Sequence, residues 1–326
     1  MKKYNVYAIG NALVDMEFAI DDDFLTKQGI DKGVMTLVDK NQQQSLYDAL
    51  AGHSGKMASG GSAANTIIGV SHFGGNAFYS CKVANDPAGD FYVQDLVAAG
   101  VDTNLHRQRE DGVSGKCIVL ITPDAERTMQ TYLGISETVS EAELQEQAIT
   151  HSDYCYLEGY LVTSDSGRAA AIKARKIAEK AGVKTALTFS DPNMVKFFKD
   201  GLQEMLGDKV DLLFCNEEEA LTWTGADDIE AAAEELKQIC SSYAITLGEH
   251  GSLVFDGSTQ HRIAATPVQA VDSNGAGDLF AGAFLYGLTH GYDYVKSAEL
   301  ASRAAGLLVT QFGPRLKIDQ YKSLLN

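Results

Sequence analysis

Val271-Asp272-Ser273-Asn274-Gly275-Ala276-Gly277-Asp278 opens a run of small and apolar residues that reads as a helix through about Leu288. Glycines at 275 and 277 let the backbone approach a ligand closely. The unpaired N–H groups of the first helical turn, with the positive end of its dipole, then form an anion site. Asp278 falls in the same turn. A carboxylate there can take a proton from a substrate hydroxyl while the N–H groups stabilise negative charge on a phosphoryl group. The same residues would also serve an ordinary helix start, where an acidic side chain only complements the dipole. Taken alone, the stretch leaves both readings open.

Outward from it, short β-rich runs alternate with longer helical patterns. Val6–Ile9, Tyr154–Leu161, Val183–Phe189, Leu212–Cys215 and Tyr243–Leu247 read as strands, with Gly167–Ala181, Glu217–Trp223 and Ile229–Cys240 as helices between them. That rhythm implies βα units and a mostly parallel sheet between helices. Two regions break it. Val14, Met16, Phe18 and Ile20 alternate with Asp15, Glu17 and Ala19, a strand with one dry and one wet face. Cys117–Thr122 and Arg127–Leu133 flank the turn-like Pro123-Asp124-Ala125-Glu126 and read as a hairpin. A small accessory sheet assembled from separated segments follows. With five prolines in 326 residues, no Pro/Ser-rich linker and no fixed-period repeat, one discontinuous domain over residues 1–326 fits better than two in tandem.

Composition narrows the function. Lys+Arg 27 against Asp+Glu 44 gives −17, a surface that repels nucleic acid and anionic lipid, so neither is expected as a partner. An anionic small molecule could still bind in a local positive pocket. Cys81, Cys117, Cys155, Cys215 and Cys240 are odd in number and lack CxxC spacing, so they are expected as buried free thiols in a reducing compartment. Neither a signal peptide nor an 18-residue apolar run is seen, and a cytoplasmic location is the expectation. No Walker A loop is found, since Gly115-Lys116 runs into Cys117 and Gly55-Lys56 into Met57. Gly275-x-Gly277 continues to Leu279 and Phe280, so the dinucleotide fingerprint of a NAD-dependent dehydrogenase fails. HExxH, GxSxG and paired His/Cys clusters are also missing, which removes the usual support for metal and serine hydrolases.

The Asp272–Asp278 stretch, together with Ser59-Gly60-Gly61-Ser62-Ala63-Ala64-Asn65, resembles the paired signature of the ribokinase-like (PfkB) carbohydrate and nucleoside kinases. Further motifs of that family stand in order along essentially the whole chain: Gly10-Asn11-Ala12-Leu13-Val14-Asp15, Asp191-Pro192-Asn193, Asn216-Glu217-Glu218-Glu219, Thr246-Leu247-Gly248-Glu249-His250-Gly251 and Gly313. The resemblance implies a three-layer α/β/α fold with a β lid from about residues 12–37 and 103–133. It also implies ATP- and Mg²⁺-dependent transfer of a phosphoryl group to a primary hydroxyl. Asp278 would be the catalytic base, with Gly275, Ala276 and Gly277 as anion-hole amides. Asn216 and Glu219 would serve Mg²⁺ and the ATP phosphates, Glu219 through water; Thr246, Gly248 and Gly251 would form the ATP-side turn. Asp191 and Asn193 would stand near the phosphates, and the carbonyls around Asp272 with the Gly313 loop would mark a site for a monovalent cation such as K⁺.

At the acceptor end, Asn11, Asp15, Gly61 and Asn65 would hold a sugar ring, Gly61 because a side chain would collide with the sugar. An Asp accepting from adjacent hydroxyls beside an Asn suits a diol; Asp15 also reads as an ordinary solvent-facing strand residue. Arg127 is a candidate phosphate contact that reads more simply as a surface arginine. Tyr160 could lie against a purine, although an aromatic at a strand end more often packs in the core. GNALVD, residues 126–134 and Glu158-Gly159-Tyr160-Leu161 are most similar to the bacterial adenosine kinase-like branch, so the expected acceptor is a nucleoside, adenosine first. A sugar kinase acting on ribose, fructose or a keto-sugar acid is the alternative, and a non-catalytic nucleotide or sugar sensor is a remote one. Either a monomer or a homodimer fits.

Overall fold

β-branched and aromatic runs between helical patterns assemble into a sheet whose two faces are both covered. The computed structural model describes residues 3–106, 109–124 and 126–325. Ala125 of the expected hairpin turn, like Met1 and Lys2, lies outside them. Among the described residues nine strands form one sheet in the order β14 (Gln260–Ile263), β13 (Ser252–Phe255), β12 (Cys240–Thr246), β11 (Val210–Asn216), β10 (Lys184–Thr188), β9 (Ser152–Glu158), β1 (Tyr4–Ile9), β5 (Ala77–Ser80) and β6 (Asp102–Thr103). All neighbours from β12 to β6 pair in parallel, and β13 and β14 close the other edge antiparallel.

Strand alternation divides the core. On β1, Val6 and Ala8 enter a cluster with the helices Ser62–His72, Ala276–Thr289 and Tyr294–Leu308, while Tyr7 and Ile9 enter another with Asp165–Lys180 and Pro192–Leu206. These two apolar layers make the three-layer α/β/α architecture of the ribokinase-like fold. All five cysteines are buried free thiols. Among the described residues no helix is long and apolar enough to cross a membrane.

A second sheet of five strands runs β3 (Met35–Leu37), β8 (Arg127–Tyr132), β7 (Gly115–Ile121), β2 (Leu13–Ala19) and β4 (Gly55–Gly60). The alternation along β2 and the hairpin β7–β8 mark three of these strands in the sequence, but nothing marks Met35–Leu37, nor Gly55–Gly60. The latter segment is rich in Gly, Ser and Lys and holds its place by antiparallel pairing with β2, from Leu13↔Gly60 to Phe18↔Gly55. Several bounds differ from the sequence reading. β9 ends at Glu158, and Gly159–Thr163 forms a short 3-10 helix, so Tyr160 is not on a strand. The helix expected over 229–240 stops at Leu236 because Cys240 begins β12.

Candidate active site

Parallel strands end together, so the residues just past their carboxyl ends share one rim, and the second sheet stands over that rim. Between them lies a cleft of about 630 Å³. Asn11, Asp15, Gly61, Asn65, Asn216, Thr246, Glu219 and Gly275 to Asp278 all line it. Asp191 lines it too, while its side chain caps the 192–206 helix at the Asn193 N–H. Asn193 itself is exposed. Gly248 and Gly251 are not among the lining residues. A Cβ on Gly251 would come within 1.9 Å of the Ile263 carbonyl oxygen, so packing against the end of β14 accounts for that glycine.

The candidate anion site centres on Gly275. Its φ of +72° and a Pro314 carbonyl 2.8 Å from any added Cβ leave glycine as the fitting residue. Of the three amides expected there, Ala276 donates to the Ser273 carbonyl at 3.2 Å. Among the described residues none accepts from the Gly275 or Gly277 N–H, and both residues line the cleft. Asp278 follows in the first turn. Its carboxylate accepts from Ser62 Oγ at 2.6 Å and Asn65 Nδ2 at 3.0 Å. Burial pushes its pKa up to about 6, and the two hydrogen bonds work against that rise.

Asp15 is 7% exposed, and no described residue donates a hydrogen bond to its carboxylate. Burial pushes its pKa up to about 7; Arg315 opposes this and Glu17 reinforces it. The wet face of β2 is therefore the wall of the cleft, which corrects the solvent-facing reading. Gly60 makes room for it: a Cβ there would lie 2.2 Å from the Asp15 carboxyl carbon. Gly61 has φ +100°, and its Cβ would lie 2.2 Å from the Asn11 carbonyl oxygen. The chain at Asn11 is thus by itself sufficient reason for glycine at position 61. Asn65 turns its Nδ2 to Asp278, and its Oδ1 is buried without a partner.

Two residues of the site escape the sequence reading. Glu158, 1% exposed at the end of β9, accepts the Asn11 N–H at 3.1 Å and the Ala63 N–H at 2.8 Å. It thereby ties two acceptor-side segments together, and burial pushes its pKa up to about 7. A charged residue ending the apolar run Tyr154–Leu157 is the signal that could have found it. Ser62 is the other, hidden as a small residue within the Gly60–Asn65 motif.

At the opposite end, Asn216 and Glu219 form a reciprocal capping box on the helix Glu217–Thr224. Asn216 donates from its N–H and Nδ2 to the two Glu219 oxygens, both at 3.0 Å, and the Glu219 N–H donates to Asn216 Oδ1 at 2.8 Å. Burial pushes Glu219 up to about 7. Among the described residues no three His, Cys, Asp or Glu side chains converge as a metal cage. Glu219 nonetheless borders the phosphate side with Asp191 near it. One or two carboxylates beside a polyphosphate suit Mg²⁺, which keeps most of its waters.

Arg127 is not a surface residue. It is 9% exposed on β8, pairs with Asp272 and lies 3.4 Å from Glu17, with Nε and Nη1 buried and unpartnered. The Asp272 carboxylate also accepts from the N–H groups of Asn274 at 2.9 Å and Gly313 at 2.8 Å. The Asp272 side chain is thus spent on a guanidinium and two N–H groups, which leaves the backbone carbonyls around it as the groups that could hold a monovalent cation.

Residues 30–320 match the model of the pfkB family of carbohydrate kinases. The chain is 27% identical to the adenosine kinase of Schizophyllum commune, over 97% of this chain and 98% of that protein. It superimposes on the adenosine kinase from Sinorhizobium meliloti with a TM-score of 0.90 at 35% identity, covering 99% of this chain and 100% of that one. A probable sugar kinase protein from Rhizobium etli CFN 42 gives 0.91 at 31% identity, over 100% and 99% of the two chains.

Proposed function

The chain belongs to the pfkB family of carbohydrate kinases and is an ATP-dependent nucleoside or sugar kinase, and from that premise we propose that its acceptor is the 5′-hydroxyl of a purine nucleoside, adenosine first. The observation that carries this reading is a pair of acceptors without donors, the Asp15 carboxylate and Asn65 Oδ1, on one wall of the cleft. Buried acceptors of this kind are costly unless a ligand supplies donors, and the vicinal hydroxyls of a ribose do so. Beside them Leu13, Met35 and Met129 of the second sheet, with Leu133 just past β8 and Tyr160, line the same cleft. An apolar wall with an aromatic ring favours an acceptor that carries a planar base over a free sugar. Two of the relatives described above are named as adenosine kinases, which supports the choice.

In the proposed reaction the 5′-oxygen forms a bond to the γ-phosphorus as the bond to the β,γ-bridging oxygen breaks. ADP leaves with that electron pair. Asp278 takes the hydroxyl proton, and the N–H groups of Gly275 and Gly277 stabilise charge on the transferring group. Glu219, with Asn216, would hold Mg²⁺ through water; when bound, the ion neutralises phosphate charge. The second sheet acts as a lid that excludes water otherwise able to hydrolyse ATP.

Comparing adenosine with 2′-deoxyadenosine in the wild type and in Asp15→Ala tests the reading. The wild type should favour adenosine in kcat/KM by about tenfold or more, and Asp15→Ala should shrink that ratio. An unchanged ratio would remove Asp15 from the ribose.

A further inference from the structure

We infer that Ser62 is a positioning residue for the phosphoryl-transfer step, its hydroxyl fixing the Asp278 carboxylate in the orientation from which it takes the acceptor proton. The inference rests on Asp278 being the base. Ser62 is the first residue of the helix Ser62–His72, where a serine would ordinarily be spent on its own helix end. Here it is not: that helix start has no side-chain cap of its own, and its Ala63 N–H is taken by Glu158 from another element. The Ser62 hydroxyl is left to cross to the helix Ala276–Thr289 and donate to Asp278 Oδ1 at 2.6 Å. Asn65, one turn further on, donates to Oδ2 at 3.0 Å, so both oxygens are held from one helix.

The distance between the two helices is itself built in. A Cβ on Gly282 would lie 2.5 Å from the Thr66 carbonyl oxygen, and one on Gly69 would lie 3.2 Å from a Leu279 methyl. Glycine at both positions lets the backbones approach until Ser62 reaches Asp278. The other ionisable groups that face Asp278 are all acids or phenols: Asp15 on β2, Glu158 and Tyr156 on β9, Tyr160 beyond it, and Glu219 on the 217–224 helix. Among the described residues no lysine or arginine forms an ion pair with Asp278. In that surrounding the Ser62 and Asn65 donors are what favour the ionised carboxylate.

The test is the pH profile of kcat for the wild type, Ser62→Ala, Ser62→Thr and Asp278→Asn, each with its melting temperature as a check on folding. Ser62→Ala should move the acid limb upward by about one pH unit, the worth of one hydrogen bond to a charged group. Turnover should therefore fall about tenfold on that limb and much less on the alkaline side, with little change in acceptor KM. Ser62→Thr, which keeps the hydroxyl, should restore the limb. If Ser62→Ala leaves the limb in place while Asp278→Asn abolishes turnover, the inference fails and the base assignment stands. If Asp278→Asn retains near-normal turnover, the base assignment fails first and carries this inference with it.

Discussion

At the acceptor end of the cleft, Asp15 and Asn65 carry oxygen atoms that no described residue supplies with a donor. At the phosphate end, Asn216 and Glu219 bond each other three times and spend those atoms on a helix start. Both ends line the same cleft with acidic side chains, yet one is incomplete without a ligand and the other is complete in itself. The difference separates recognition from support. Unpaired buried acceptors select a partner by its donors, whereas a closed capping box presents a rigid, acidic edge that a hydrated cation can share. Asp278 stands between them, held by the acceptor-side helix and adjoining the free amides of the phosphate side.

Substitutions at the two ends and at their junction should act differently. Asp278→Asn, at the junction, should have the largest effect: kcat should drop by at least about 10²-fold while folding and ATP binding persist, as measured by steady-state rates and nucleotide titration. Asp15→Ala comes next. Loss of charge-assisted hydrogen bonds should raise acceptor KM by about 10- to 100-fold and leave the KM for ATP nearly unchanged. If both constants rose together, the two ends would not be functionally separate. Glu219→Gln should be milder. Its amide would face Asn216 Nδ2, donor against donor, costing about 1 kcal/mol of stability by denaturant titration, and the Mg²⁺ concentration for half-maximal rate should rise while acceptor KM holds.

The smallest effect expected is on stability against pH. Asp15, Asp278, Glu158 and Glu219 all have carboxyl pKa values raised by burial, to about 6 or 7. The native state therefore holds protons that the unfolded chain releases near pH 4. The stability this provides is complete below the unfolded values and is lost as pH rises through about 6 to 7. The melting temperature of the ligand-free protein should thus decline modestly from pH 5.5 to pH 8. Carboxylates with depressed values, such as Asp86 and Asp95, lose their contribution only at still lower pH and do not mask this decline. Asp15→Asn, which removes one of these titrating groups, should flatten the decline.

How much of this could be read in advance depended on whether a residue's reason was local. Asp278 and Gly275 declared themselves because a glycine-opened helix start is a local pattern with local consequences. Tyr160, which a strand end would more often send into the core, lines the cleft instead. Glu158, Ser62 and Arg127 did not declare themselves, because each works across the fold: their partners Asn11, Asp278 and Asp272 lie 147, 216 and 145 residues away. Spacing along a chain carries no trace of such pairs. Gly61 and Gly251 show the converse. Their presence was legible, but its cause, the Asn11 and Ile263 carbonyls, belongs to the packed structure. The strand Gly55–Gly60 was missed for a related reason, since its composition is that of a loop and its pairing with β2 makes it a strand.

We propose that the apolar wall beside the Asp15 and Asn65 acceptors makes this a nucleoside site. Coupled ADP release measured over adenosine, other nucleosides, ribose, fructose and a keto-sugar acid tests it most directly. Ribose alone would satisfy the acceptors but leave the Leu13, Met35 and Met129 wall wet, forfeiting a few kcal/mol of burial. Adenosine should therefore exceed every free sugar in kcat/KM by about 10²-fold or more. A sugar turned over faster than every nucleoside would contradict the claim and assign this cleft to a sugar.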